Sequence, residues 1–242
     1  MSTLTIVQAR LGSQRLPGKA LADVGGKTVL ERVIERAQMT QADLGRVVVA
    51  TSARTPDNAI AELCEMVGVE CYRSSEHDVL NRFYRVAVHC QNIDPGDTIV
   101  RITADCPLLC PELLTATVRL RELLSADYVG VYGAPNGLGQ EALSFAALET
   151  AWVEAEMPED REHVITFVED APDRFTVKYV AASEALQARA HWRLTLDDAD
   201  DLDLLRRLFD ATGGALFEMR SEDILALVDA DVGLLALAER RP

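Results

Sequence analysis

Positive charge is scarce in this chain: 24 Lys and Arg stand against 39 Asp and Glu, for a formal net charge of -15. That shortage argues against an extended nucleic-acid surface, since proteins that track phosphate backbones need clustered cations. No run of about 18 apolar residues occurs, which excludes an obvious membrane-spanning helix. The start, MSTLTIVQAR, lacks the charged, apolar and small-residue succession of a secretory signal, so a soluble cytoplasmic protein is expected. The cysteines, Cys64, Cys71, Cys90, Cys106 and Cys110, are odd in number and scattered. Their one C-x3-C pair is broken by Pro107 and has no matching second pair, so free thiols are expected rather than a disulfide framework or a zinc site. Neither common glycine-rich nucleotide signature, G-x-G-x-x-G or G-x-x-x-x-G-K-[ST], is present.

What is present is enough apolar material, 48% of 242 residues, to bury a large core. Strand-length apolar runs recur at residues 4–9, 46–51, 69–72, 97–103 and 127–132. Between them lie helical patterns: Val29, Leu30, Val33, Ile34 and Ala37 step by three and four, as do Ile60, Leu63, Cys64 and Val67. Such alternation predicts an α/β fold with a mostly parallel central sheet flanked by helices. Thr55-Pro56-Asp57 reads as a helix start, with a hydroxyl cap ahead of a proline. After residue 132 the rhythm changes. Residues 133–140 read as a turn-rich loop, 145–156 and 161–170 as helices, 175–181 and 192–197 as strands, and 198–240 as helices. One domain over 1–242 is expected, with about 133–191 forming a substrate-covering or dimerisation insert.

The most telling stretch follows the first strand. In IVQARLGSQRLPGK, residues 6–19, an apolar run gives way to Arg10, Arg15 and Lys19 with two glycines and no acid. Ligands of parallel α/β sheets collect beyond the carboxyl ends of the strands, where this loop falls. Gly12 and Gly18 allow backbone amides to approach an anion, and the three cations can neutralise a polyphosphate from several sides. A solvated basic turn is the alternative. In an acidic protein, such a loop would receive an anionic nucleotide at one place only.

Two aspartates are candidate partners for that loop. Asp105 follows the predicted strand DTIVRIT and precedes Cys106-Pro107, where it either holds Mg²⁺ against phosphate oxygens or serves as a turn or capping residue. Asp197 ends the predicted strand WRLTLD, while Asp198, Asp200 and Asp201 read as helix-start acids favoured by capping and the helix dipole.

These motifs together resemble the cytidylyltransferases of the spore-coat polysaccharide type, relatives of the acylneuraminate and 3-deoxy-manno-octulosonate cytidylyltransferases. The resemblance rests on QARLGSQRLPGK, GGKTVLERVIERA, VVVAT, SSEHDVLNRFY, IVRITADCPL, REHV and RLTLDD, in order over roughly residues 4 to 205. It implies a Rossmann-like nucleotidyltransferase fold, CTP and Mg²⁺ as reactants, and transfer of CMP to an oxygen of a sugar acid or related anionic acceptor with release of pyrophosphate. By the same resemblance, Arg10, Ser13, Arg15 and Lys19 handle the triphosphate, with Leu11 and Gly12 in the same loop, and Ser75, Asp78, Thr103 and Ala104 complete the nucleotide site. Asp105 and Asp197 match the metal-binding aspartates. Arg82, Glu141, Arg161 and His163 fall near the acceptor, and a homodimer is plausible. For Ser75 and Asp78, plain helix capping is the competing reading, and His163 is alternatively a packing residue beside Val164 and Phe167.

Two departures from the family pattern stand out. Ala104 replaces a glycine before Asp105, and Gly139 replaces an aspartate in Asn136-Gly137-Leu138-Gly139-Gln140-Glu141. They motivate one rival, a catalytically silent nucleotide-binding protein. The other, a nucleotide-sugar glycosyltransferase, could share the fold and a metal aspartate but would normally hold its metal on an aspartate-x-aspartate strand end, where this chain has the single Asp105. A phosphonate or polyol phosphate is a further acceptor class, given the altered loop.

Overall fold

A computed structural model describes the chain except residues 41, 43, 91, 92 and 240–242. Its strands are β1 (Thr3–Gln8), β2 (Asp23–Val24), β3 (Lys27–Thr28), β4 (Arg46–Ser52), β5 (Glu70–Ser74), β6 (Thr98–Thr103), β7 (Tyr128–Tyr132), β8 (Glu141–Ser144) and β9 (Val177–Ala181). The helices are α1 (Val29–Ala37), α2 (Asn58–Val67), α3 (Val79–His89), α4 (Pro111–Leu124), α5 (Phe145–Glu154), α6 (Pro158–His163), α7 (Thr166–Glu169), α8 (Glu184–Gln187), α9 (Ala199–Ala211), α10 (Ser221–Ala230) and α11 (Val232–Ala238). Seven strands form one sheet in the order β5-β4-β1-β6-β8-β7-β9, and β2 and β3 form a separate hairpin. Within the seven-stranded sheet all neighbours pair in parallel except β8, which runs antiparallel to both β6 and β7. This is the α/β architecture the alternating periodicity predicts.

Successive residues of a strand face opposite sides of the sheet, and both sides are covered. Val7, Val49, Val100 and Ile102 pack with Leu30 and Val33 of α1, Ile60 of α2, Leu114 of α4 and Leu205 of α9. Ile6, Val48, Ile99 and Leu143 pack with Leu80 and Phe83 of α3 and Leu148 of α5. Helix starts follow their local chemistry. Thr28 and Glu31 form a reciprocal capping box on α1, and Asp198 and Asp201 do the same on α9, as the acid run there predicts. The cysteines are free thiols.

Several expected elements take a different form. Residues 192–197 are not a strand; Arg193 makes only a single bridge, to Asn136, because the segment is held by scattered bonds to the 133–140 loop and to Asp105 instead of a continuous partner. The helix expected over 161–170 breaks into α6 and α7 at Val164, whose φ of 70° ends the first. Thr55–Asp57 forms a 3-10 turn, and α2 begins at Asn58 without a side-chain cap. The Asp57 carboxylate is spent on the Ser52 hydroxyl and the Leu11 amide. Residues 141–144, where the periodicity predicts no element, form strand β8, whose four residues fill the slot between β6 and β7 and pair on both sides, and α5 then begins at Phe145, where the helix is expected.

Candidate active site

The loop after β1 is held at both ends. Leu11 N donates to Asp57 Oδ1 at 2.8 Å, and Gly18 N returns to Leu11 O at 3.2 Å. Gly18 adopts φ of 75°, a left-handed conformation that costs a glycine little, and it launches the 3-10 turn that starts at Lys19. The loop therefore folds back on itself and delivers Lys19 inward.

Lys19 Nζ donates to Asp105 Oδ2 and to Asp197 Oδ1, both at 2.9 Å, and to Leu196 O at 2.8 Å. Arg15 Nη2 joins the same Asp197 oxygen at 3.1 Å. These charge-assisted bonds are the stronger kind. Burial works against the charged amine of Lys19, but the two carboxylates outweigh it and raise its pKa above the ordinary lysine value. Burial likewise pushes Asp105 up, and Lys19 with Thr103 more than reverses that, leaving its carboxyl below the ordinary range.

Both carboxylates are positioned by short-range structure. Asp105 sits in the turn that ends β6, where Cys106 N donates to Thr103 O at 3.1 Å and Ala104 N to Gln8 O at 2.9 Å. Leu196 N donates to Asp105 O at 2.8 Å, which draws the 192–197 segment against that turn. Asp197 is fixed from behind: buried Asp201 accepts from the backbone amides of Asp197 and Asp198 at 2.7 and 3.0 Å. Buried Arg193 in turn pairs with Asp201 and approaches Asp198 and Asp197 at 3.2 and 3.7 Å.

A cavity of about 850 Å³ opens over this cluster at the carboxyl ends of the parallel strands. Arg10, Gly12, Ser13, Arg15 and Lys19 line it from the loop, Thr103, Ala104 and Asp105 from the end of β6, and His163 and Asp197 from the later segments. The loop cations and the two aspartates, far apart in sequence, thus meet at one place. Other residues expected at the site do not line this cavity. Leu11 packs against the core cluster of the α1 face. Ser75 Oγ accepts from Asp78 N at 3.2 Å, and Asp78 caps α3 by accepting from Asn81 N at 2.9 Å. Arg161 pairs with Asp78 at 2.8 Å and donates to the carbonyls of Trp152 and Ala155, so it locks α6 to α3 and α5. Arg82 is fully buried and donates to Ser75 O at 2.6 Å, with burial, reinforced by neighbouring Arg10, pushing its pKa down to about 10. Glu141 borders a separate cavity of about 230 Å³ and pairs with Arg101 at 2.9 Å.

Sequence reasoning passed over three residues here: Gln8 and Arg101, which line the large cavity, and Arg193 behind Asp197. An arginine within the apolar run TIVRIT, one strand period before Thr103, was the available signal for the second. Nothing in the spacing around Gln8 or Arg193 marks them out.

The departure at Gly139 has a steric reason, since a Cβ there would lie 2.8 Å from Val131 Cβ. Ala104 lines the cavity with its amide committed to Gln8 O. Among the described residues, no cluster of three or more His, Cys, Asp or Glu side chains is arranged to hold a metal unaided, and no helix is long and apolar enough to cross a membrane.

Comparison with known proteins places this geometry. Residues 4–224 match the cytidylyltransferase family. An uncharacterized protein of Methanocaldococcus jannaschii is 38% identical over 229 residues, covering 95% of this chain and 90% of that protein. The spore coat polysaccharide biosynthesis protein SpsF of Bacillus subtilis is 31% identical over 214 residues, covering 87% of each. Among solved structures, a cytidylyltransferase from Leptospira borgpetersenii superposes with a TM-score of 0.88 at 25% identity, covering 100% of this chain and 98% of that one. With the match spanning sheet, loop and both aspartates, the chain belongs to the cytidylyltransferase family and is a CTP-dependent nucleotidyltransferase.

Proposed function

We propose that the protein transfers CMP from CTP to an oxygen of a sugar acid or related anionic acceptor, releasing pyrophosphate, with Mg²⁺ as the metal. The observation that carries this reading is the convergence of Lys19 and Arg15 on Asp105 and Asp197 at the edge of a cavity large enough for a nucleotide and a small acceptor. The name of SpsF points to a role in polysaccharide synthesis, and the motif resemblance to the acylneuraminate and 3-deoxy-manno-octulosonate enzymes supports an acid as acceptor.

Two aspartates whose oxygens already converge on one cationic nitrogen suit a divalent ion that takes one or two carboxylates and completes its shell with phosphate oxygens and water. Bound there, the ion would neutralise charge on the triphosphate. Asp105 and Asp197 would hold it. Lys19, Arg15 and Arg10 would turn to the phosphates and stabilise charge as it develops on the α-phosphate and the departing pyrophosphate. Arg10 is ion-paired with Glu162 at 3.6 Å on the cavity wall and would exchange that partly exposed partner for a phosphate. An in-line attack by the acceptor oxygen needs positioning more than covalent help from the protein, and His163, lining the cavity from α6, is assigned to the acceptor side.

A pyrophosphate-release screen crossing four nucleoside triphosphates with sugar acids and phosphonates tests the reading. Release with CTP and an acid, abolished in Lys19→Ala and Asp105→Asn, is the expected result. CTP binding without release across the whole panel would replace it with a nucleotide-binding role.

A further inference from the structure

The large cavity has a second polar end, on the other side of the sheet from its phosphate-handling end. Arg101 lies two residues before Thr103 on β6, on the face where Ile99 packs against α3 and α5. Lys19 and Asp197 come instead from the side where Ala20 and Leu196 join the α1 and α9 core. On neighbouring β1, Ile6 pairs with Arg101 and Gln8 with Thr103, so Gln8 and Arg101 are diagonal neighbours on one face. Both line the cavity.

Each of these side chains carries a buried polar atom with no partner among the described residues: Nε of Arg101, a donor, and Oε1 of Gln8, an acceptor. Leaving such atoms unmatched is costly, and most native buried polar groups have partners. Among the described residues, the Arg101 guanidinium is ion-paired with Glu141, reached through Nη1 at 2.9 Å. Arg161 and Arg82, the cations the motifs suggest for an anionic acceptor, are committed to Asp78 and to the interior.

We propose that Arg101 and Gln8 form an acceptor subsite for a hydroxylated acid: Arg101 receives the oxyanion, a carboxylate or a phosphonate, and Gln8 Oε1 accepts from a hydroxyl of the same molecule. An orphan donor beside an orphan acceptor calls for a ligand that carries both complements, and a planar guanidinium matches either oxyanion. Glu141 is the resting counter-ion, and the ligand's anion takes its place. This subsite rests on the reading of the cavity as a cytidylyl-transfer site and adds which end holds the acceptor and through which groups.

The test is binding of three probes to the protein preincubated with CTP, followed by calorimetry or saturation-transfer NMR: gluconate, 2-hydroxyethylphosphonate and the neutral polyol glucitol. At least one acid should bind and glucitol should not, and which acid binds distinguishes carboxylate from phosphonate. Arg101→Gln should weaken that acid at least tenfold, and Arg101→Lys should recover part of the loss. Glu141→Gln should bind it more tightly than the wild-type protein, an outcome that a purely structural ion pair does not give and that needs no loss of folding to be read. CTP affinity, measured separately, should stay within twofold in all three variants. Equal acid binding by Arg101→Gln, equal binding of glucitol, no binding of either acid, or a loss of CTP affinity in its place would each overturn the subsite. Failure of CTP itself to bind the wild-type protein would instead remove the nucleotide-transfer reading.

Discussion

Lys19 Nζ stands 2.9 Å from Asp105 Oδ2 and 2.9 Å from Asp197 Oδ1, so one ammonium bridges two carboxylates carried by separate parts of the chain. If it serves the α-phosphate during transfer, Lys19→Ala should lower turnover on the order of a hundredfold, comparable to removing a donor from an oxyanion site. Pyrophosphate release under saturating CTP measures this.

The same bridge sets Lys19 against any divalent ion, since both draw on the same oxygens. Lys19→Met should therefore bind Mn²⁺ more tightly than the wild-type protein when no nucleotide is present, by about tenfold, the scale of one displaced charge at a partly buried site. Titration followed by the electron paramagnetic resonance of free Mn²⁺ reads it, and unchanged or weaker binding would contradict the competition.

Arg193 holds Asp201, and Asp201 holds the backbone of Asp197. Arg193→Met leaves a buried carboxylate without its cation and should cost about 3–5 kcal/mol of stability. Thermal denaturation tests that cost, and weaker Mn²⁺ binding in the presence of CTP would mark the accompanying displacement of Asp197.

Restoring the family's acid at position 139 should not come free. Gly139→Asp brings a Cβ to 2.8 Å from Val131 Cβ, an overpacking expected to destabilise by about 1–3 kcal/mol. Pairing it with Val131→Ala should recover most of that loss in urea denaturation.

Asp97 supplies a pH dependence away from the site. Burial pushes its carboxyl up, but the amides of Asp94 and Ser2 and the Ser2 hydroxyl outweigh it and hold it below the ordinary range. A depressed carboxyl stabilises the fold fully above its unfolded value, about 3.9, and loses that contribution as pH falls through the folded value. The difference in melting temperature between wild type and Asp97→Asn should hold steady above about pH 5 and shrink on acidification below about pH 4.

The parallel half of the sheet was legible because β1, β4 and β6 are buried runs whose composition leaves few alternatives. The cationic loop and Asp105 were legible for a related reason: they follow directly from strands, so strand placement carries the site with it. Asp197 reaches the site without the strand its segment suggests: the Leu196 amide on Asp105, Lys19 on Leu196 O and Asp201 behind the Asp197 amide hold it there. Four-residue β8 carries too little periodicity to read alone, and its identity comes from two neighbours that the local sequence does not contain. Arg161 looked available because a sequence shows charge without partners. Only tertiary packing reveals that Asp78 and two carbonyls use it.

Val164, wholly buried at φ 70°, has a bearing on how the enzyme would fail. A β-branched residue in that region costs of order 1–3 kcal/mol and stays there only because its surroundings enforce it. It directly follows His163, so the place of that residue on the cavity wall is borrowed from the packing of Val168, Leu148 and their neighbours under α6 and α7. Mild warming or small cavities carved in that layer should let the bend relax while the rest of the sheet stays intact, and acceptor turnover would then decline well before the protein melts.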